Sequence, residues 1–167
     1  MQKVTAVLSF LIVTAMTLLQ ANAENSYTRY HDAFDRMKML EGVWDEAEYG
    51  RVVEYHLTGK GSALIEEFVG DPPMTSVYHL DGDDLRLTHY CNAGNQPRMI
   101  ADAYGTDSLS FDFVDVTNLK SPDAYHTRTL DIDFLDDDHV VLNFVGKKEG
   151  REIATTHTLT RRKGVLR

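Results

Sequence analysis

The stretch EGVW, residues Glu41–Trp44, marks the point at which the hydrophobic pattern of the chain changes. After it, apolar residues alternate with polar ones, which is typical of β-strands. Before it, apolar residues recur at spacings of three and four, which is the pattern of one helix face: Tyr30, Phe34, Met37 and Leu40. The sequence therefore predicts one amphipathic helix, with Ser26 or Thr28 available as its cap, and then an all-β domain.

About ten strand-like runs follow this point at close intervals. They are Val43–Tyr49, Val52–Leu57, Ala63–Phe68, Thr75–Leu80, Asp84–Cys91, Arg98–Tyr104, Ser108–Asp115, Thr127–Phe134, His139–Val145 and Glu152–Arg161. Short segments rich in Gly, Asp and Pro separate them, such as DGDD and KKEGR, and these residues favour tight turns. Neighbouring strands are therefore expected to pair antiparallel.

Only one connection, Asn118–Tyr125, is longer, and we expect it to form a surface loop near one mouth of a barrel. A sheet of this many strands either splits into a sandwich or closes on itself. Regular hairpins without a long crossover favour closure. The expected fold is an antiparallel up-and-down β-barrel of about eight to ten strands, preceded by one helix.

Two short motifs resemble those of the calycin group, the lipocalin-like and fatty-acid-binding-protein-like barrels. LEGVW, Leu40–Trp44, resembles the Leu-x-Gly-x-Trp element that begins their first strand, and TLTRR, Thr158–Arg162, resembles their closing strand. The resemblance implies that Trp44 closes one end of the barrel and that Arg161 or Arg162 stacks on its ring. Because secreted lipocalins usually carry disulfides and this chain has one cysteine, the resemblance is closest to bacterial secreted lipocalin-like domains of unassigned function.

The amino terminus has the pattern of a secretory signal peptide. Lys3 precedes the apolar run Val7–Leu19, and Ala21-Asn22-Ala23 is a small-x-small cleavage pattern. The apolar run is shorter than the roughly 20 residues that a membrane span needs. We expect residues 1–23 to be removed and residues 24–167 to form one barrel domain, secreted or periplasmic, with no membrane span.

Charge and cysteine content restrict the classes of partner. Lys3 is the only charged residue of the expected signal, so its removal changes the net charge from −9 to −10. Such a charge argues against nucleic acid and anionic membrane surfaces as partners. A single cysteine forms no internal disulfide, so Cys91 is a free thiol, a link to another chain, or a buried apolar side chain.

Strand alternation places four polar residues on faces that are otherwise apolar. These are His89, Cys91, Arg128 and His157. Arg128 shares its expected face with Leu130 if the strand is regular. An apolar cavity with a few convergent polar groups is the usual form of a small-molecule site, and an arginine there suits an acidic head group.

The stretch LTHYCNAGNQPRM, Leu87–Met99, carries two of these residues and then a polar hairpin connection. If that connection lies at the barrel mouth, its atoms can touch a ligand, and the candidates are Asn95, Gln96 and Arg98. The alternative is that the connection is a purely structural corner.

The leading hypothesis is an exported protein that holds a small hydrophobic molecule, with an acidic group as one option, inside the barrel. An enzyme that uses His89 or His157 as acid or base in the same cavity is a second hypothesis. Haem binding is a third, because some nitrobindin-like barrels hold haem through a histidine near the last strand; His157 in TTHTLT lies in a comparable region, although the surrounding residues do not match. The histidines have no spacing typical of a metal site, so no metal and no resident cofactor are expected.

Overall fold

The computed structural model describes residues 30–105 and 107–164. The expected signal peptide, residues 1–23, and the expected helix caps Ser26 and Thr28 lie outside the described residues. A helix, α1, covers residues 30–38, and ten strands follow it. The strands are β1 (Gly42–Glu46), β2 (Val52–Thr58), β3 (Ala63–Val69), β4 (Met74–Asp81), β5 (Asp84–Tyr90), β6 (Gln96–Tyr104), β7 (Ser108–Thr117), β8 (His126–Phe134), β9 (His139–Lys148) and β10 (Arg151–Arg161).

The ten strands form one closed antiparallel barrel. Each strand pairs with its sequence neighbours, and β1 also pairs with β10, so the order runs β1-β10-β9-β8-β7-β6-β5-β4-β3-β2. The up-and-down barrel expected from the strand alternation and short turns is therefore confirmed. Closure leaves no open sheet edge among these ten strands.

Burial alternates along the strands as the sequence pattern predicts. In β3 and β5 every second side chain is buried, and in β9 Val140, Leu142 and Phe144 face inward. The β9–β10 turn is an example of the short connections. Glu149 and Gly150 both have positive φ, 51° and 75°, as a two-residue type I′ hairpin requires.

The first strand ends earlier than the alternation predicts. We expected it to continue to Tyr49, but β1 ends at Glu46 and a turn follows. The Glu46 carboxylate accepts hydrogen bonds from the backbone N–H groups of Tyr49 (3.1 Å) and Arg51 (3.4 Å). A side chain therefore satisfies backbone donors that would otherwise extend the strand.

Trp44 and α1 close one end of the barrel. Trp44 is wholly buried, its Nε1–H donates to the Leu40 carbonyl oxygen at 2.8 Å, and it belongs to the same core cluster as Phe34 and Met37 of α1. The Arg161 guanidinium carbon lies 4.2 Å from the centre of the indole, so the expected cation–π contact is confirmed for this arginine. Arg162 instead forms an ion pair with Asp45.

In the part of the chain that the structure describes, α1 included, no helix combines the length and apolar character needed to cross a bilayer.

Candidate ligand-binding site

A cavity of about 500 Å³ opens at the other end of the barrel, beyond the end of β1. It is lined by Tyr49, Arg51, Asp71, Pro72, Met74, His89, Cys91, Asn92, Tyr125, Thr127, Phe144, Ile153, Thr155 and His157. Tyr125 ends the connection between β7 and β8, so the expected position of this loop at a barrel mouth is confirmed. Its ring lies over Gly146 of β9, where a Cβ atom would collide with it.

Two buried imidazoles line the cavity, separated by one aromatic ring. The Phe144 ring centre is 5.7 Å from the ring centre of His89 and 5.7 Å from that of His157. Each imidazole uses Nδ1 in a hydrogen bond, and within the described residues neither Nε2 atom makes one. Two ring nitrogens are therefore free to bind a ligand group.

Glu46 orients His157 from across the junction between β1 and β10. Its Oε1 lies 2.9 Å from His157 Nδ1, and both side chains are buried. The same carboxylate lies 3.6 Å from Arg51 Nε. One buried acidic group therefore holds both a ring and a guanidinium at the cavity wall.

Arg51 is the cationic side chain of this cavity. Its guanidinium lies 5.0 Å from the Tyr49 ring centre and 5.1 Å from the Phe68 ring centre. Among the described residues, the buried Nε atom has no hydrogen-bond partner, because 3.6 Å to Glu46 is too long for a hydrogen bond. The described residues thus leave guanidinium donors available to a ligand.

His89 is the last member of a buried polar row that crosses four strands. Tyr55, Glu66, Ser76 and His89 are successive cross-strand neighbours on β2, β3, β4 and β5. Tyr55 Oη donates to Glu66 Oε1 at 2.5 Å, and Ser76 Oγ lies 3.0 Å from His89 Nδ1. Tyr78 Oη donates to the second Glu66 oxygen at 3.1 Å. The row connects the cavity to a carboxyl group in the barrel core.

Burial dominates the electrostatics of this row. It raises the pKa of Glu66, against hydrogen bonds from Tyr55, Ser76 and Tyr78 that lower it. Burial, and then repulsion from Glu66, holds the pKa of Tyr55 and Tyr78 well above the usual range. For His89, burial and then the charge of His157 lower the pKa to about 4. The ring that faces the cavity is therefore neutral at pH 7.

The free energy of unfolding is expected to fall between about pH 6.5 and pH 4 because of His89. The unfolded ring binds its proton at the ordinary pKa of 6.5, whereas the folded ring resists protonation until about 4. Between these values the unfolded state carries more protons, so acid favours it. At about 1.36 kcal/mol per pH unit, the loss is about 3 kcal/mol.

Urea melts of the wild type and of His89→Phe at pH 7 and pH 4.5 measure this effect. The variant lacks ring nitrogens and should lose less stability on acidification, while Glu66, whose raised pKa acts in the opposite direction, is present in both proteins. Parallel losses in the two proteins would show that His89 does not carry the pH dependence.

Three of the residues predicted from the sequence line the cavity, namely His89, Cys91 and His157. Cys91 is a buried free thiol whose pKa is raised by burial. Asn95 is buried behind the wall and donates from Nδ2 to the Tyr125 carbonyl oxygen at 2.7 Å, so it holds the mouth loop. Whether any of them binds a ligand stays a prediction.

Three further predicted residues do not line the cavity, namely Gln96, Arg98 and Arg128. Gln96 accepts a hydrogen bond from Thr117 at 2.8 Å, and Arg98 forms a bidentate ion pair with Asp115, with both N···O distances 2.5 Å. These contacts lie on the outer surface, because Arg98 and Asp115 are both about half exposed.

The expectation that Arg128 points into the cavity assumed that β8 is regular, and the structure corrects it. A bulge between Thr127 and Thr129 shifts the β8–β9 register, and Thr127 rather than Arg128 takes the position at the cavity. The Arg128 guanidinium lies 4.0 Å from the Phe113 ring centre instead. The expectation that this arginine points into the cavity depended on regular alternation, which the bulge removes.

Sequence reasoning missed three buried polar residues, Glu46, Glu66 and Ser76, and the partly buried Arg51. A signal was present for Glu66, because it alternates with Leu64 and Phe68 and therefore belongs to the inward face of β3. Ser76 is in phase with Tyr78 in the same way on β4. Arg51 lies before β2, outside the alternating pattern of that strand, so its position at the cavity could not be predicted from the sequence and is seen only in the folded turn.

No cluster of three or more His, Cys, Asp or Glu side chains that could hold a metal ion occurs within residues 30–105 and 107–164. A scan against models of known protein families found no match to the chain, and a search of curated proteins found none.

Proposed function

We propose that the protein binds a small, largely apolar molecule with an acidic group in the open end of the barrel. The observation that carries the proposal is the Arg51 guanidinium, which lines this open aromatic cavity and whose buried Nε has no hydrogen-bond partner among the described residues. A buried donor without a partner costs free energy, and an acidic ligand would supply the acceptor.

The size and lining of the cavity support this proposal. A volume of about 500 Å³ lies within the range of about 300–1,000 Å³ that small-molecule sites occupy. Met74, Phe144 and Ile153 supply apolar surface, and the two free Nε2 atoms and Arg51 supply the few polar contacts that would orient a ligand. This division between apolar contact area and a few fixed polar groups is typical of binding sites.

A lipocalin-like or fatty-acid-binding-protein-like identity is part of the proposal. It rests on the closed barrel and on the Trp44–Arg161 contact at the end opposite the cavity. Export to the periplasm or the cell exterior also belongs to the proposal, and rests on the signal-peptide pattern of residues 1–23.

A fluorescent fatty acid and its uncharged amide test the role of Arg51. The wild type should bind the acid more tightly than the amide, because only the acid offers a carboxylate to the guanidinium. Arg51→Met should weaken binding of the acid about 10-fold to 100-fold, which corresponds to the loss of a hydrogen bond to a charged group, and should change binding of the amide much less.

Two other arginines provide matched controls for this experiment. Arg98→Met and Arg128→Met remove guanidinium groups that do not line the cavity, so both should bind the acid as the wild type does. Equal affinity of the wild type for acid and amide would refute an acidic ligand. If Arg128→Met loses affinity for the acid and Arg51→Met does not, Arg128 rather than Arg51 binds the acidic group, and the proposal is wrong about the arginine.

Haem binding is a second candidate, favoured by the geometry of His157. Its Nδ1 is held by the Glu46 carboxylate and its Nε2 is free, which is how metal-binding histidines are usually oriented. His157 would hold the iron, and the haem would supply redox or gas-binding chemistry. Added haem should then give a shifted Soret band in the wild type and in His89→Ala but not in His157→Ala. An unshifted band in the wild type would exclude this candidate.

A further inference from the structure

The buried row from Tyr55 to His89 has a property that ligand binding alone does not require. Glu66 is wholly buried, the hydroxyl groups of Tyr55 and Tyr78 donate hydrogen bonds to it, and Ser76 is its cross-strand neighbour on β4. Among the described residues, the other ionisable group that affects the pKa of Glu66 is His157, through an electrostatic interaction that lowers it. An acidic residue without a cationic partner in a barrel core is costly, and an apolar side chain there would cost less.

The hydrogen bonds of the row can run in two directions. When Glu66 is ionised, the hydroxyl of its cross-strand neighbour Ser76 can donate to it, and Ser76 Oγ then accepts from Nδ1–H of His89, which leaves a lone pair on Nε2 toward the cavity. When Glu66 is protonated, its O–H donates to Ser76, the Ser76 hydroxyl donates to Nδ1, and Nε2 carries the hydrogen. The two directions differ by one proton held at Glu66.

We propose that this row removes a proton from a bound weak acid, such as a phenol or an enol, and stores it on Glu66. The O–H bond of the ligand breaks and a bond from its hydrogen to His89 Nε2 forms. The hydrogen of Nδ1 passes to Ser76 Oγ, and the Ser76 hydrogen passes to Glu66. Nothing is oxidised or reduced, and the ligand remains in the cavity as its anion.

The transfer moves a negative charge from the barrel core to the cavity, where a cationic side chain can interact with it. Before it, the charge lies on Glu66 in the core, among neutral hydroxyl groups. After it, the charge lies on a ligand in the cavity that Arg51 lines. His157 lines the same cavity and acts electrostatically on His89 from across Phe144. Net charge inside the barrel does not change, so the buried site takes up the ligand without a counter-ion.

This inference deepens the proposed function, because it rests on the same cavity and narrows its ligand to weak oxygen acids. The probe is 4-nitrophenol, whose anion has a visible absorption band that the neutral form lacks. At one pH unit below its solution pKa, the bound probe in the wild type should be mainly the anion. Calorimetry in buffers with different ionisation enthalpies should find close to no proton released to the solvent.

Three variants decide whether Glu66 is the proton store. Glu66→Gln keeps the shape but cannot accept a proton, so it should bind the neutral phenol, or release about one proton for each anion bound. Ser76→Ala breaks the row with a smaller change to the core and should give the same result. Glu67→Gln is the matched control, because its half-buried side chain lies on the outer face of β3, and it should behave as the wild type.

An equal proton count in the wild type, Glu66→Gln and Ser76→Ala would overturn the inference, as would binding of the phenol in neutral form by the wild type. Both results would leave the proposed function standing if the fluorescent acid still binds in an Arg51-dependent way. Failure of the wild type to bind either probe would instead refute the proposed function.

Discussion

Trp44→Ala is expected to lower the free energy of unfolding by about 3–5 kcal/mol, the range for removal of a large buried aromatic side chain. The indole is wholly buried and packs edge-on against Tyr55, with ring centres 6.4 Å apart. The substitution also removes the acceptor face for Arg161 and leaves the Leu40 carbonyl without its 2.8 Å donor. Urea melts at pH 7 measure the loss.

Trp44→Phe and Tyr90→Ala are the controls for this prediction. Phenylalanine keeps an aromatic face for Arg161, so its loss should be smaller than that of alanine. Tyr90 is half exposed, and its replacement should cost less than about 1 kcal/mol. A loss below about 1 kcal/mol for Trp44→Ala would show that this residue does not close the barrel.

Glu46→Ala is expected to cost about 3–5 kcal/mol, the range for breaking a buried ion pair by removing one partner. The carboxylate is buried and holds His157 Nδ1 at 2.9 Å, Arg51 Nε at 3.6 Å and the backbone N–H of Tyr49 at 3.1 Å. Without it, His157 Nδ1 loses its hydrogen-bond partner, Arg51 loses its ion-pair partner, and the turn after β1 loses its contact with this carboxylate. Urea melts again give the change, and binding of the fluorescent acid should fall with it.

Glu48 provides a matched control two residues further along the chain. It also reaches β10, where it accepts hydrogen bonds from Thr158 N at 2.7 Å and Thr158 Oγ1 at 2.6 Å, but it is exposed. Exposed contacts of this kind contribute about 0–1 kcal/mol, so Glu48→Ala should have a small effect. Equal losses in the two variants would show that burial does not decide the strength of these contacts.

The fold could be predicted from the sequence because it depends on patterns within short segments of the chain. Alternation of apolar residues identifies each strand, and turn residues such as Glu149 and Gly150 set the hairpins. Antiparallel pairing of neighbours then follows from the short connections. The Trp44–Arg161 contact was also expected, although only through the resemblance of two motifs to a known group of barrels.

The candidate site could be predicted from the sequence only in part, because non-local features of the fold decide where its polar residues lie. A bulge in β8 depends on how that strand pairs with β9, and it moves Thr127 to the cavity and Arg128 away from it. Arg51 reaches the cavity through a turn that a buried glutamate holds in place. Glu66 had an alternation signal, but its meaning depends on facing Tyr55 and Ser76, which only the register reveals.

The pairing of β1 with β10 has a consequence for the order of events during synthesis. Its three residue pairs, among them Trp44 with Arg161 and Glu46 with Leu159, join segments more than 100 positions apart, and such contacts form slowly because a long loop must close first. Until β10 has been synthesised, β1 and β9 have unpaired edges that other chains can join. His157 is synthesised with that same strand, so the growing polypeptide completes this cavity only when its unpaired strand edges become paired.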